Sequence, residues 1–139
     1  MMPPRLLLVD DDAAFRDQLA GLLPELLPDV EIVATVHDGH EAVAAAMRLA
    51  PSVVLMDYAM PGPTGGHAAA VIRQALPDAR IVILSGLDPE DLAGLPGDVT
   101  VVRKGAGMAQ ALADAIGERE RSGPGVEPSQ RGAATPDEF

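Results

Sequence analysis

Five short apolar runs, separated by longer stretches of helical period, constrain this chain more than any other feature. They fall near residues 5–9, 31–36, 53–56, 81–84 and 99–103. Three of them, Leu6-Leu7-Leu8-Val9, Val53-Val54-Leu55-Met56 and Ile81-Val82-Ile83-Leu84, contain no polar residue at all. A strand of that kind is buried on both faces, which is the signature of a parallel sheet. Parallel neighbours need a crossover segment, and a helix is the usual one. The pattern therefore predicts an α/β fold: five parallel strands covered by helices on both sides.

The crossovers carry their own punctuation. A first helix is expected from about Ala13 through Leu23, with Phe15, Leu19, Leu22 and Leu23 on one face and Pro24 disturbing its end. Asp38-Gly39-His40-Glu41 has the spacing of a capping box and should open a second helix. That helix would bury Val43, Ala46, Met47 and Ala50 before Pro51 stops it. A third, from about His67 to Leu76, would bury Val71, Ile72 and Ala75 and turn at Pro77-Asp78. The last helix would direct Met108, Leu112, Ala115 and Ile116 inward until Gly117 loosens it.

The ends of the runs differ from their interiors. The first runs into Asp10-Asp11-Asp12, the third into Asp57 and the fourth into Ser85-Gly86, while Lys104 follows the fifth. Lys104 is the one lysine, against nine arginines. An ammonium is a compact point charge suited to a single oxygen, whereas a guanidinium is a planar fork. In a parallel α/β sheet, ligands bind at the carboxyl ends of the strands, and all these residues map to that edge.

Composition narrows the chemistry. A net charge of −11 argues against nucleic acid or an anionic membrane as a direct partner. With no cysteine, thiolate metal sites and disulfides are excluded. No stretch approaches the ~18 apolar residues of a membrane span, and Met1-Met2-Pro3-Pro4-Arg5 begins no signal peptide, so a cytoplasmic location is expected. Residues 1–121 read as one domain. Residues 122–139, with three glycines and three prolines, read as a disordered tail or a truncated linker.

Three carboxylates held together repel unless a cation joins them. A hard divalent ion, Mg²⁺ rather than zinc, suits an oxygen-only donor set and leaves positions open for phosphate oxygens. A carboxylate can itself be the nucleophile in phosphoryl transfer. Charge neutralisation by metal, ammonium and hydroxyl is then what the reaction needs most.

Leu-Val-Asp-Asp after the first run, Val-Val-Leu-Met-Asp57 followed by Met60-Pro61-Gly62, Ile-Leu-Ser85-Gly86 and Lys104-Gly105-Ala106 resemble the receiver domain of two-component response regulators. Lys-Gly-Ala is closer to the LuxR/NarL-type receivers. The resemblance covers about residues 5–118 and implies a doubly wound, flavodoxin/CheY-like sheet of order 2-1-3-4-5. It implies a phosphorylation switch charged by a sensor histidine kinase or a histidine phosphotransfer protein. It leaves room for a homodimer and implies no enzyme activity beyond self-phosphorylation and autodephosphorylation. Carried over by position, Asp57 accepts the phosphoryl group. Asp11 and Asp57 ligate Mg²⁺ with the Ala59 carbonyl, Asp10 acts through water, and Ser85 and Lys104 contact the phosphoryl oxygens.

Two positions depart from the pattern. Receivers usually carry Tyr or Phe three residues before the strand-5 lysine, and here that residue is Val101. The stretch from Ser85 to Lys104 is also short by about one helical turn. Its remainder, Asp88 to Gly97, fits only a shortened fourth helix beginning near Pro89 and ending at Gly94. These departures keep open a phosphorylation-independent, receiver-like adaptor, and the linker-like tail keeps open a truncated DNA-binding regulator. A haloacid-dehalogenase-type phosphatase needs a second acid two residues after the nucleophile, where this chain has Ala59. His37 and His40 read as polar loop residues lacking a third ligand, and His67 as a surface residue.

Overall fold

The computed structural model describes residues 3–60, 65–92 and 94–122. Pro61 and Gly62 of the motif after Asp57, and residues 123–139 of the expected tail, lie outside them. Five strands, β1 (Arg5–Val9), β2 (Glu31–Val36), β3 (Val53–Asp57), β4 (Arg80–Ser85) and β5 (Thr100–Arg103), form one parallel sheet of order β2-β1-β3-β4-β5. Among the described residues, four α-helices accompany them: α1 (Ala13–Leu26), α2 (Gly39–Leu49), α3 (Gly65–Ala75) and α4 (Met108–Ser122).

Side chains alternate along each strand, so the sheet divides the core in two. Leu7, Val9, Val54, Met56, Ile81 and Ile83 pack with Ala42, Ala45 and Ala46 of α2 and Ala68, Ala69 and Ile72 of α3. Leu6, Leu8, Val53, Leu55, Val82, Leu84 and Val102 pack with Leu19 and Leu23 of α1 and Leu112, Ala115 and Ile116 of α4. Each fully buried Leu or Ile contributes about 1.5–3 kcal/mol from burial. All five residues of β3 are buried, as the middle of a doubly wound sheet requires.

The elements fall where the sequence places them, but several details differ. Helix α1 runs through Pro24 to Leu26, because Leu26 and Leu27 still have core to pack against. Helix α2 buries Ala42, Ala45 and Ala46, leaves Val43 half-buried and exposes Met47, while Ala50 caps the helix in the left-handed region at φ 46°. Likewise α3 buries Ala68, Ala69 and Ile72, with Val71 half-buried and Ala75 exposed. In both cases the buried stripe is turned towards alanines. The two helices pack on one another, and small side chains allow that approach. Helix α4 continues through Gly117 to Ser122.

Between β4 and β5 the described residues contain no α-helix, only a 3₁₀ turn at Pro89–Asp91. The shortened helix expected there starts on schedule but stops before Gly94. Asp88 pairs with Arg103, and Asp98 pairs with Arg73 of α3 at 3.2 Å. No helix among the described residues is long and apolar enough to cross a membrane.

Candidate functional site

The carboxyl end of the sheet gathers the predicted side chains because the backbone ladder extends one residue past each strand. The Asp10 N–H donates to the Val36 carbonyl (3.1 Å), Tyr58 N–H to the Leu84 carbonyl (2.9 Å) and Lys104 N–H to the Ser85 carbonyl (2.8 Å). Parallel register sets Asp57 beside Leu84 and Ser85 beside Arg103. Rigid strands, rather than loops, therefore fix where the functional groups begin.

Asp10 and Asp57 are buried, and Asp11 is exposed at the rim. Ligand oxygens of the three lie within 4.8 Å of one another. Asp10 Oδ1 accepts from the Asp12 N–H at 2.9 Å, but its Oδ2 is buried with no hydrogen-bond partner among the described residues. Asp57 Oδ1 accepts from the Ala59 N–H at 3.3 Å and lies 3.3 Å from Lys104 Nζ. Burial pushes both the Asp10 and the Asp57 carboxyls above the usual carboxylate range. Backbone N–H donors and Lys104 pull them back only in part. Crowded carboxylates and an unsatisfied buried oxygen fit a hard cation.

Ser85 is buried, and its Oγ accepts from the Leu87 N–H at 2.9 Å. Lys104 owes its position to the turn that follows it. Gly105 has φ 114° and Gly107 φ 84°, conformations open to glycine, and they swing the chain directly from β5 into α4. Two further groups contact the site without a motif to announce them. The Phe15 ring lies 4.6 Å from Lys104 Nζ, and the Arg16 guanidinium donates to the Asp10 carbonyl at 2.7 Å. The sequence marks Phe15 only as an apolar residue on α1.

His37 stands apart from this edge. Its Nε2 lies 3.2 Å from Glu41 and its Nδ1 3.4 Å from Asp38, so a third polar group does stand nearby, contrary to the expectation. Both carboxylates are already engaged at the start of α2: Asp38 accepts from the Glu41 N–H, and Glu41 from the His37 N–H. The capping box thus closes on His37, one residue before the cap. His67 is exposed, as expected.

Residues 6–95 match the family model described as the response regulator receiver domain. The chain belongs to that family. It is similar to the transcriptional regulatory protein LiaR of Bacillus subtilis (strain 168), 34% identical over 130 residues covering 88% of this chain and 59% of LiaR. It is also 42% identical over 89 residues to a protein-glutamate methylesterase/protein-glutamine glutaminase of Geobacter metallireducens, covering 64% of this chain and 25% of that enzyme. Among solved structures, the signal receiver domain of the response regulator NarL from Mycobacterium tuberculosis superposes with a TM-score of 0.71. It is 27% identical and covers 86% of this chain and all of that one. The receiver spans at most about three-fifths of these two curated relatives. Its phosphoacceptor switch role is the one the family implies. The family match ends at residue 95, ahead of β5 and Lys104. Val101 is half-buried against the α2/α3 core, as are Leu95 and Tyr58.

Proposed function

We propose that this receiver accepts a phosphoryl group on Asp57 from the phosphohistidine of a sensor kinase or phosphotransfer protein. The observation that carries the reading is a buried carboxylate of raised pKa, held 3.3 Å from the sole lysine and within 4.8 Å of two further acids. An Asp57 carboxylate oxygen forms a bond to phosphorus as the bond from phosphorus to the imidazole nitrogen breaks. The electron pair returns to the imidazole. Lys104 neutralises one phosphoryl oxygen, and the Ser85 hydroxyl turns from its loop to donate to another. Asp11 and Asp57 would hold Mg²⁺ with the Ala59 carbonyl, and Asp10 would act through water. Bound there, Mg²⁺ supplies the charge neutralisation that lets three acids and a phosphoryl group share one pocket.

In this reading the domain is residues 1–121, and residues 122–139 are a tail or linker. It works in the cytoplasm, catalyses only its own phosphorylation and dephosphorylation, and touches no nucleic acid itself. Regulation of transcription, as the name of LiaR records for that protein, would need a further domain. Val101 and the 3₁₀ turn in place of a helix favour one alternative, an adaptor that binds its partner whether or not it is phosphorylated.

The test is intact mass after incubation with acetyl phosphate. One phosphoryl mass should appear only with Mg²⁺ and be lost in base. A gain that survives in Asp57→Asn would overturn the assignment. Partner binding that is equal for wild type and Asp57→Asn would favour the adaptor.

A further inference from the structure

We infer that Phe15 is a positioning residue that holds the Lys104 ammonium over the Asp57 carboxylate. The inference rests on the phosphoacceptor reading and adds a component to that site. The chain has one lysine and three aromatic residues, Phe15, Tyr58 and Phe139. The lysine and one of those rings meet: Nζ lies 4.6 Å from the Phe15 centroid while standing 3.3 Å from Asp57 Oδ1. Within about 6 Å, the negative face of an aromatic ring attracts an ammonium, more strongly as water is excluded. Lys104 is about one-third exposed at its side chain and Asp57 almost fully buried, so the contact lies where the site meets solvent.

Sheet geometry explains why this ring is within reach. By alternation, Asp57 follows Val53 and Leu55 onto the α1/α4 side, and Lys104 follows Val102 onto the same side. Phe15 sits in the first turn of α1 and is partly buried against that core. Its own backbone is fixed by the site. The Phe15 N–H donates to Asp12 Oδ1 at 3.2 Å, and the Asp12 N–H donates to Asp10 Oδ1. Arg16, next in the helix, donates to the Asp10 carbonyl. The contacts close a circuit from Asp10 through Asp12 and Phe15 to Lys104 and Asp57, joining the ends of β1, β3 and β5.

A long lysine side chain has considerable rotamer freedom to lose on being held in place. A ring on one side and a carboxylate on the other restrict it before a phosphoryl group arrives. Leucine at position 15 would keep the apolar cover and lose only the π face, which makes it the informative substitution.

Because Lys104 is the sole lysine, reductive methylation with ¹³C-formaldehyde labels it and the α-amine only. The Lys104 methyl signal should lie upfield in the wild type, move downfield in Phe15→Leu and return in Phe15→Tyr. A signal unmoved by Phe15→Leu would overturn the contact, whatever the protein does with phosphate. Beryllofluoride with Mg²⁺ gives the second readout. Its apparent affinity should fall about fivefold in Phe15→Leu and recover in Phe15→Tyr. In a Lys104→Met background, Phe15→Leu should cause no further loss. An equal loss there would make the ring a packing element and overturn the positioning role. A wild type that takes neither beryllofluoride nor a phosphoryl group would overturn the phosphoacceptor reading, while the methyl signal would still decide the contact.

Discussion

The ends of β1 and β3 and the connection from β4 to β5 are built by different means. The first region sets Asp10 and Asp57 on buried strands, with ladder hydrogen bonds carried one residue beyond each. The second holds its chain by a 3₁₀ turn, by half-buried Leu95 and Val99, and by ion pairs from Asp88 and Asp98, whose side chains are exposed. Burial and ladder bonds resist local opening, whereas exposed ion pairs add little. On the proposed reading, phosphoryl chemistry sits on the stiffer part, and the response to it is expected in the looser one.

The largest effect should come from the stiff region. Leu55→Ala, at the centre of β3, is expected to cost about 2–5 kcal/mol in urea unfolding. Leu87→Ala, at an exposed site in the connection, should stay within about 0.5 kcal/mol. Comparable costs at the two sites would erase the contrast.

The acid cluster should give the next effect, with a sign that depends on pH. Burial raises the Asp10 pKa in the folded state, so folding takes up a proton between the unfolded value near 3.8 and that higher value. The contribution of Asp10 to stability is then fullest below 3.8 and is lost as pH rises through the folded pKa. In EDTA, Asp10→Asn should therefore have a higher Tm than wild type at pH 7, with the gain shrinking in acid. Millimolar Mg²⁺ should raise the wild-type Tm by mass action, and less so in Asp11→Asn. A Tm gain in Asp10→Asn that is independent of pH would locate the penalty elsewhere.

Hydrogen exchange addresses the loose region directly. On activation with beryllofluoride and Mg²⁺, amides across residues 86–98 should slow by about tenfold or more, with little change in β5. Protection centred on Val101 and α4 instead would assign the response to the stiff side. A small effect is also expected for Arg103→Ala, below about 1 kcal/mol, because the pair with Asp88 is largely exposed. A greater loss would show that the connection depends on this pair.

Runs of buried strand residues and the chemistry at their ends were legible in the sequence because strand burial and sheet-edge placement are local consequences of pattern. The order of the strands came from the resemblance, since periodicity does not say which strand lies beside which. The face of α2 was misjudged at Met47, because hydropathy favours the larger side chain whereas close approach of two helices favours alanine; on α3, Ala75 was placed inward and is exposed. Phe15 gave no signal of its role because a cation–π contact joins residues far apart in sequence, with no spacing to betray it.

The β4–β5 connection also sets a limit on how the chain can vary in length. Residues 86–99 must carry the backbone from one end of the sheet back to the other, and parallel strands need about a dozen residues or more to do so. With its helix already reduced to a single turn, this crossover is near the shortest that still permits parallel pairing. Insertions there have room on the surface, but a deletion of a few residues would pull β5 out of register. The lineage of this chain could lengthen that segment freely; it has almost nothing left to remove.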